Sequence, residues 1–236
     1  MSNKKICILT SVHPVFDIRI FYKQAKTLAN AGYEVTLIAQ HEKNEIVNGV
    51  KIIALPKSKN RLQRMFFLTL KILREALNHK ADIYHFHDPE LIPAGLVLKV
   101  AGKKIIYDVH EDYTKQILSK PYLAKITRSC IAFLTNTIEY ISSRFFDGII
   151  TATDAILENF SRHKKAVSIR NFPIISNFAV VKGNSHNKRY IFNLIYIGVL
   201  HEIRGITQII KALDLLDPNK ELKLTNLYKD LLKNYH

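Results

Sequence analysis

The stretch DIYHFHDPELIPAGLVLKVAGKKIIYDVHE, residues 82–111, contains two short apolar runs on either side of a helical stretch. The runs at 82–88 and 104–111 are rich in Ile, Tyr and Val and short enough to be buried strands. A strand, a helix and a second strand in succession are typical of a parallel sheet. Both predicted strands end in histidines and carboxylates, at the edge where open parallel sheets bind their ligands.

The same alternation extends along most of the chain. Further strands are predicted at 4–10, 34–40, 50–56, 148–153 and 166–172. After the first of them, Ile20, Phe21, Ala25 and Leu28 fall at helical spacing, and Gly32 stands where a helix C-cap belongs. The sequence therefore predicts an α/β fold, a doubly wound parallel (Rossmann-like) sheet covered by helices on both faces.

The chain is expected to hold one full domain, residues 1–180, and the beginning of another. VKGNSHNKR, residues 181–189, is polar and is predicted to be a linker. Residues 190–236 then open with a predicted strand at 190–200 and a predicted helix at 206–216, as a second α/β domain would. Such a short piece cannot bury its own apolar faces, so it is expected to pack on another surface or stay loosely folded.

The composition favours a globular protein that remains in the cytoplasm. The apolar run after MSNKK is too short for a signal peptide, and no run approaches the length of a membrane span. Cys7 and Cys130 both lie in apolar runs and are expected to be buried free thiols.

The net charge favours an anionic partner. Lys and Arg number 35 against 20 Asp and Glu, a formal charge of +15. Residues 57–80 contribute seven basic residues and one acidic residue to a helix that also has apolar positions. This helix predicts either an ordinary packing helix with a solvated basic face or contact with an anionic membrane surface on the inner face of the plasma membrane. Nucleic acid is disfavoured, because no recognition motif accompanies the charge.

The histidines at the strand ends allow three interpretations. His85 and His87 alternate along one strand and should point to the same face, near His110 on the next strand. Three histidines could bind zinc, but no cysteine or second histidine pair supports a metal site, and we expect none. His85 is expected to be a packing residue, whereas His110, between carboxylates that can set its tautomer and pKa, is expected to be functional.

Four segments in this order, HPVFDIRIFYKQAKTLANAGYEVTLIA, the stretch quoted above, IRNFP and YIGVLHEIRGITQIIKAL, resemble the retaining GT-B glycosyltransferases of family 4. The resemblance covers residues 4 to about 224. It implies two Rossmann-like domains, the first binding a glycan or lipid-linked acceptor and the second a nucleotide-sugar. The nucleotide-sugar is a substrate, and no cofactor is implied.

The resemblance also implies roles for residues of the first domain. His110 matches the family histidine beside the donor sugar and is the expected catalytic residue. His87 and Asp88 match the segment that shapes the same cleft, where Glu111 is expected as well. Asp17 and Arg19 match the loop after the first strand, where Arg19 is expected either to contact phosphate or acceptor or to form a salt bridge with Asp17.

In the second domain, Gly198, Arg204 and Gly205 match the loop whose cation and helix N-terminus bind the donor diphosphate. Arginine in place of the more usual lysine keeps the charge and adds bidentate geometry. The family pattern continues beyond residue 224 with a Glu-x7-Glu motif that this sequence does not show in that context. The expectation is a truncated or split glycosyltransferase that is inactive or impaired alone. The alternatives are a noncatalytic acceptor- or membrane-binding remnant and, less favoured, another nucleotide-binding α/β protein.

Overall fold

The computed structural model of the protein describes residues 4–174, 192–196, 205–215 and 222–226. The chain divides into two compact units, Met1–Ile174 and Ile175–His236.

The first unit is built on an eight-stranded sheet in the order β3-β4-β2-β1-β5-β6-β7-β8. Every neighbouring pair is parallel except the antiparallel pair β3 and β4. The strands are β1 Lys5–Leu9, β2 Glu34–Gln40, β3 Glu45–Val47, β4 Val50–Leu55, β5 Ile83–Phe86, β6 Lys104–Val109, β7 Gly148–Thr151 and β8 Ala166–Ser168. The predicted doubly wound parallel sheet is confirmed.

The short edge strand β3 is the element of this sheet that sequence reasoning missed. It is joined to β4 by Asn48 and Gly49, whose φ angles are 50° and 77°. Two consecutive residues at positive φ form the tight turn that joins a twisted hairpin, and Asn-Gly is the preferred pair for it. The signal was present in the sequence as this dipeptide.

Helices cover both faces of the sheet. A π-helical segment, Ile18–Ala25, continues into α1, and a second, Arg64–Leu68, lies between α2 and α3. The α-helices of this unit are α1 Lys26–Asn30, α2 Arg61–Gln63, α3 Thr69–His79, α4 Ile92–Val100, α5 Tyr113–Leu118, α6 Lys125–Ser143 and α7 Asp154–Leu157. Side chains of α3 and α4 pack with β1, β5 and β6 in one core, and residues from Ile18–Ala25 pack with β1, β2 and β4 in a second core.

A close contact between a helix and a strand fixes α4 against β5. A Cβ added to Gly95 would lie 2.8 Å from the Phe86 ring, so only glycine allows this approach. The Phe86 ring in turn stacks on Tyr107 of β6 with centroids 4.6 Å apart. The two strands whose ends carry the histidines are therefore held together by a dense aromatic layer.

The two cysteines differ in environment. Both are free, Cys7 is buried in β1, and Cys130 is exposed on α6. The prediction that Cys130 is buried was wrong, because α6 packs on the sheet with its other side. No helix in the described part of the chain is both long enough and apolar enough to cross a bilayer.

The second unit contains a strand, a helix and a parallel strand. Strand β9, Phe192–Tyr196, pairs with β10, Leu222–Asn226, and α8, Ile206–Asp214, lies between them in sequence. Gly205 precedes α8 with a φ of +75°, a conformation that glycine adopts without strain. The predicted linker 181–189 lies outside the described residues, and the predicted domain boundaries remain a prediction.

Candidate functional site

Polar side chains collect at the carboxyl ends of β1, β5 and β6, which are neighbours in the sheet. In the strand register, Ile8 of β1 pairs with His85 of β5, and His85 pairs with Ile106 of β6. The rings of His85 and His87 lie on the same side, with centroids 4.7 Å apart, as their alternation predicted. The strand order therefore brings together the histidines that the sequence placed on separate strand ends.

Asp108, at the end of β6, is the buried centre of this cluster. Arg19 donates to it from Nε and Nη2 at 2.9–3.2 Å, and Gln24 donates to Oδ2. His85 Nε2 lies 3.5 Å from Oδ2. Burial by itself raises the pKa of Asp108, but His85, His87 and Arg19 together hold that pKa well below its usual range. Asp108 is therefore a carboxylate in the folded chain.

Arg19 does not form the salt bridge with Asp17 that was one of its two expected roles; it is bound to Asp108. Its guanidinium also donates to the carbonyl oxygen of Ile169 at 2.9 Å, and the residue is only 5% exposed. It pairs with Asp108 and not with Asp17, because the Asp17 side chain caps the helical segment that follows. The Asp17 carboxylate accepts the backbone N–H groups of Arg19 and Ile20 at 2.8 and 2.9 Å. The Arg19 guanidinium thus holds this loop to the sheet.

Asp88 holds the loop that follows β1. It is fully buried, and its Oδ2 accepts from the Thr10 hydroxyl at 2.9 Å and from the Ser11 and Val12 backbone N–H groups at 2.6 and 3.2 Å. Its other oxygen lies 3.4 Å from His13 Nε2. Asp88 therefore shapes the site by fixing this loop and is itself buried.

His87 is a fully buried imidazole. Within the described ranges neither of its ring nitrogens has a hydrogen-bond partner. Burial, and then the nearby His85, lower its pKa well below the usual value, so it is neutral. Possible ligand atoms of His85, His87 and Asp108 lie within 4.8 Å of one another, but a metal held there would meet the Arg19 cation already bound to Asp108.

His110 and His13 lie on the partly exposed side of the cluster. Their Nε2 atoms are 2.9 Å apart, and their rings meet edge to face. Burial first, and then His13, lower the pKa of His110, while Asp108 lies 4.0 Å from its Nδ1. Sequence reasoning missed His13, although its place in the loop directly after β1 was a usable signal.

The remaining predicted site residues lie elsewhere or cannot be placed. Glu111 is exposed and accepts a hydrogen bond from Gln116 at 3.0 Å. Gly205 starts α8 in the second unit, while Gly198 and Arg204 fall outside the described residues. The structure thus groups His87, His110 and Asp88 with Arg19 and adds His13 and Asp108 to them.

Comparisons with known proteins agree with this fold. The family model described as Glycosyltransferase Family 4 matches residues 19–178. No curated protein sequence matches the chain.

Three solved structures resemble the chain at 10 to 13% identity, a level that shows a shared fold. Sucrose-phosphate synthase from Thermosynechococcus elongatus matches 95% of this chain and 70% of its own at 13% identity, with a TM-score of 0.58. A UDP-forming α,α-trehalose-phosphate synthase from Burkholderia xenovorans matches 95% of this chain and 64% of its own at 12% identity, with a TM-score of 0.61. A third, LpCGTa in complex with UDP, matches 94% of this chain and 70% of its own at 10% identity, with a TM-score of 0.56.

Proposed function

This chain belongs to Glycosyltransferase Family 4, and on that premise we propose that it serves the transfer of a sugar from a nucleotide-sugar to a cell-envelope glycan or a lipid-linked acceptor. The match covers the unit that holds the histidine cluster. The reaction forms a bond between the anomeric carbon and an acceptor oxygen, and the nucleoside diphosphate leaves with the former bonding electrons. The departing diphosphate needs cations and N–H donors, and the sugar needs to be held in place.

The single observation that supports the proposal most is the position of His110. It follows β6 at the carboxyl edge of the sheet, it is partly exposed, and its ring is fixed by His13. With its pKa lowered by burial, the imidazole is neutral near pH 7, and its Nε2 can give up the bond to His13 for one with a sugar hydroxyl. We assign His110 the role of orienting the donor sugar.

The donor diphosphate is assigned to the second unit. Gly205 directly precedes α8, and the first N–H groups of a helix have no intrahelical partners and are suited to an anion. Gly198 and Arg204 are proposed to act with it on the strength of the sequence motif alone.

An anionic membrane surface is the proposed partner that would present a lipid-linked acceptor, on the cytoplasmic side. Phe66, Phe67 and Leu70 are 62 to 66% exposed beside the basic side chains of α2 and α3, whereas Leu68 and Ile72 are buried. The helix predicted from the sequence therefore has both a packed face and an exposed apolar face. Arg64 is an exception among its cations, because it is bound to Glu90 at 2.9 Å.

Turnover with a panel of nucleotide-sugars and an envelope extract tests the proposal. We expect a slow release of nucleoside diphosphate, as predicted from the sequence for an impaired enzyme, that falls at least tenfold in His110→Ala and stays unchanged in His79→Ala, a histidine on α3 bonded to Thr36. Binding of the extract without diphosphate release from any donor would favour the second candidate, a noncatalytic acceptor-binding module. The buried, fully engaged Arg19 is the observation that favours this candidate, because it leaves one fewer cation for a phosphate.

A further inference from the structure

Helix α6, the longest in the described part of the chain, presents an apolar stripe to solvent. Six large apolar side chains on it and directly after it are 51 to 80% exposed, namely Ile126, Phe133, Leu134, Ile138, Ile141 and Phe145. They recur at intervals of three, four and seven residues and so share one side of the helix. The stripe extends over a helix of 19 residues, a length of about 28 Å.

The opposite side of α6, which packs on the sheet, is small and polar. Its buried residues are Ala132, Glu139, Ser142 and Ser143. Glu139 accepts a hydrogen bond from the Tyr107 hydroxyl of β6 at 2.6 Å. An amphipathic helix of a globular protein usually buries its apolar side, so the reverse arrangement marks α6 as an interaction surface.

Cations lie at both ends of the stripe. Lys120, Lys125 and Arg128 are at its amino end, and Arg144 is at its carboxyl end. None of these four forms a salt bridge within the described ranges. The acidic residue of α6, Glu139, is buried, so the exposed side of the helix carries positive charge only.

A basic cavity of about 500 Å³ adjoins the carboxyl end of α6. Its lining includes Arg144, Arg162, Lys164 and Lys165, and both arginines donate to the hydroxyl of Tyr140. The Arg144 guanidinium also lies over the Tyr140 ring, 4.4 Å from its centroid. These cations are held in place by a phenol, which leaves their charge unneutralised.

The carboxylate at this cavity is already engaged. Asp147 accepts from Lys99 at 2.7 and 2.8 Å and from the Ile105 backbone N–H at 2.8 Å. Arginines beside Lys164 and Lys165, which form no salt bridge among the residues that the structure describes, fit a phosphate group. Asp147 and Lys165 precede β7 and β8, so the cavity lies at the amino edge of the sheet, whereas the histidine cluster lies at the carboxyl edge.

Net charge decides between a second copy of the chain and a bilayer as the partner that covers the apolar stripe. A second copy of the chain, paired through α6, would bring together cations of two molecules that each carry a formal charge of +15. An anionic bilayer surface offers the opposite charge, and helices with a basic side and an apolar side lie in its plane. The bilayer therefore fits both the stripe and its ends.

We propose that α6 and the basic cavity beside it form a site for an anionic bilayer, with the stripe among the acyl chains and the cavity holding a lipid phosphate group. This inference rests on the membrane partner of the proposed function and gives that partner a second surface besides α2 and α3.

Cosedimentation of the full chain with vesicles tests the site. The vesicles contain either phosphatidylglycerol with phosphatidylcholine or phosphatidylcholine alone. The stripe variant is Phe133→Gln/Ile141→Gln, and the cavity variant is Arg144→Gln/Arg162→Gln. Their controls are Tyr33→Gln/Ile46→Gln for exposed apolar residues and Lys51→Gln/Lys104→Gln for exposed cations. We expect at least tenfold tighter binding to anionic vesicles, a loss of at least tenfold in both α6 variants, and less than twofold change in the controls.

The thermal unfolding midpoint identifies any variant that misfolds, and Leu134→Gln/Ile138→Gln then replaces the stripe variant. Equal binding of the wild type to both vesicle types would overturn the inference together with the membrane partner. Loss of binding in Phe66→Gln/Phe67→Gln alone would overturn the inference and leave that partner standing. Glycosyl transfer to a soluble acceptor is assayed separately and does not depend on either result.

Two further results would replace the bilayer with another occupant. A dimer that dissociates in the stripe variant, with unchanged vesicle binding, would assign the stripe to a second copy. Calorimetric binding of inorganic phosphate that disappears in the cavity variant, while vesicle binding persists, would assign the cavity to free phosphate.

Discussion

Arg19 and Asp108, 89 residues apart in the chain, form a buried bidentate ion pair with N···O distances of 2.9 to 3.2 Å. The pair joins the helical segment after β1 to the end of β6. Asp108 Oδ1 also lies 4.0 Å from Nδ1 of His110, so the pair lies directly beneath the candidate catalytic residue. The geometry of His13 and His110 therefore depends on an ion pair that is itself buried from solvent.

Replacing Arg19 with methionine is expected to destabilise the fold strongly. The substitution keeps an unbranched side chain but leaves Asp108 a buried, unpaired carboxylate, which costs about 3 to 5 kcal/mol. Urea unfolding measures the change. Lys5→Met is the control, because Lys5 forms an exposed ion pair with Glu34 that is worth about 0 to 1 kcal/mol. Equal losses in the two variants would contradict the role given to the buried pair.

The strands could be predicted because a buried parallel strand needs a continuous apolar run. The runs at β2 and β6 are of this kind, and alternation placed His85 and His87 on one face. These properties depend on neighbours in sequence. Several predicted strands ended one to four residues too late, as at β5, where the prediction included His87 and Asp88 after the last ladder residue, Phe86.

The contacts between distant residues could not be predicted in the same way. Nothing near Arg19 in the sequence identifies Asp108 as its partner, so the local Asp17 was the natural but incorrect alternative. Likewise, helical periodicity shows that α6 has two sides without showing which side packs on the sheet. Small side chains such as Ala132 and Ser142 allow close approach to the strands, and the apolar side faces outward as a result.

The free energy of unfolding is expected to decrease as the pH falls below about 6.5, partly because of His87. Its folded-state pKa is depressed by burial, so the unfolded chain binds a proton that the folded chain does not. One such group contributes a slope of up to about 1.4 kcal/mol per pH unit. Urea unfolding between pH 7.5 and 5 should give a shallower slope for His87→Leu than for the wild type. Identical slopes would mean that His87 is protonated in the folded chain.

Zinc is expected to bind less than stoichiometrically. The three possible ligands His85, His87 and Asp108 are close together, but the Arg19 guanidinium occupies the carboxylate, and a second cation there would be repelled. Elemental analysis of the purified protein, after dialysis against a low concentration of zinc, measures the content. One equivalent of zinc that is absent from His87→Leu would establish a metal site in place of the ion pair.

His13 is expected to position His110 in the proposed transfer. A hydrogen bond between two Nε2 atoms requires one ring to donate and the other to accept, so it fixes the tautomer as well as the orientation of His110. Losing a bond worth about 0.5 to 1.5 kcal/mol should lower kcat/KM about two- to tenfold in His13→Ala. In His13→Gln, an amide can restore the donor or the acceptor, and part of the rate should return.

The pH profile separates this positioning role from a merely structural one. Burial first, and then the neighbouring His13, lower the pKa of His110, so His13→Ala removes the second cause and admits water, and each change raises that pKa. If neutral His110 is the active form, the acid limb of kcat/KM should therefore move to higher pH in His13→Ala. It should move less in His13→Gln, which is uncharged but keeps more of the volume of the ring. A lower rate with an unmoved acid limb in both variants would show that His13 supports the loop alone and that His110 is tuned by Asp108 without it.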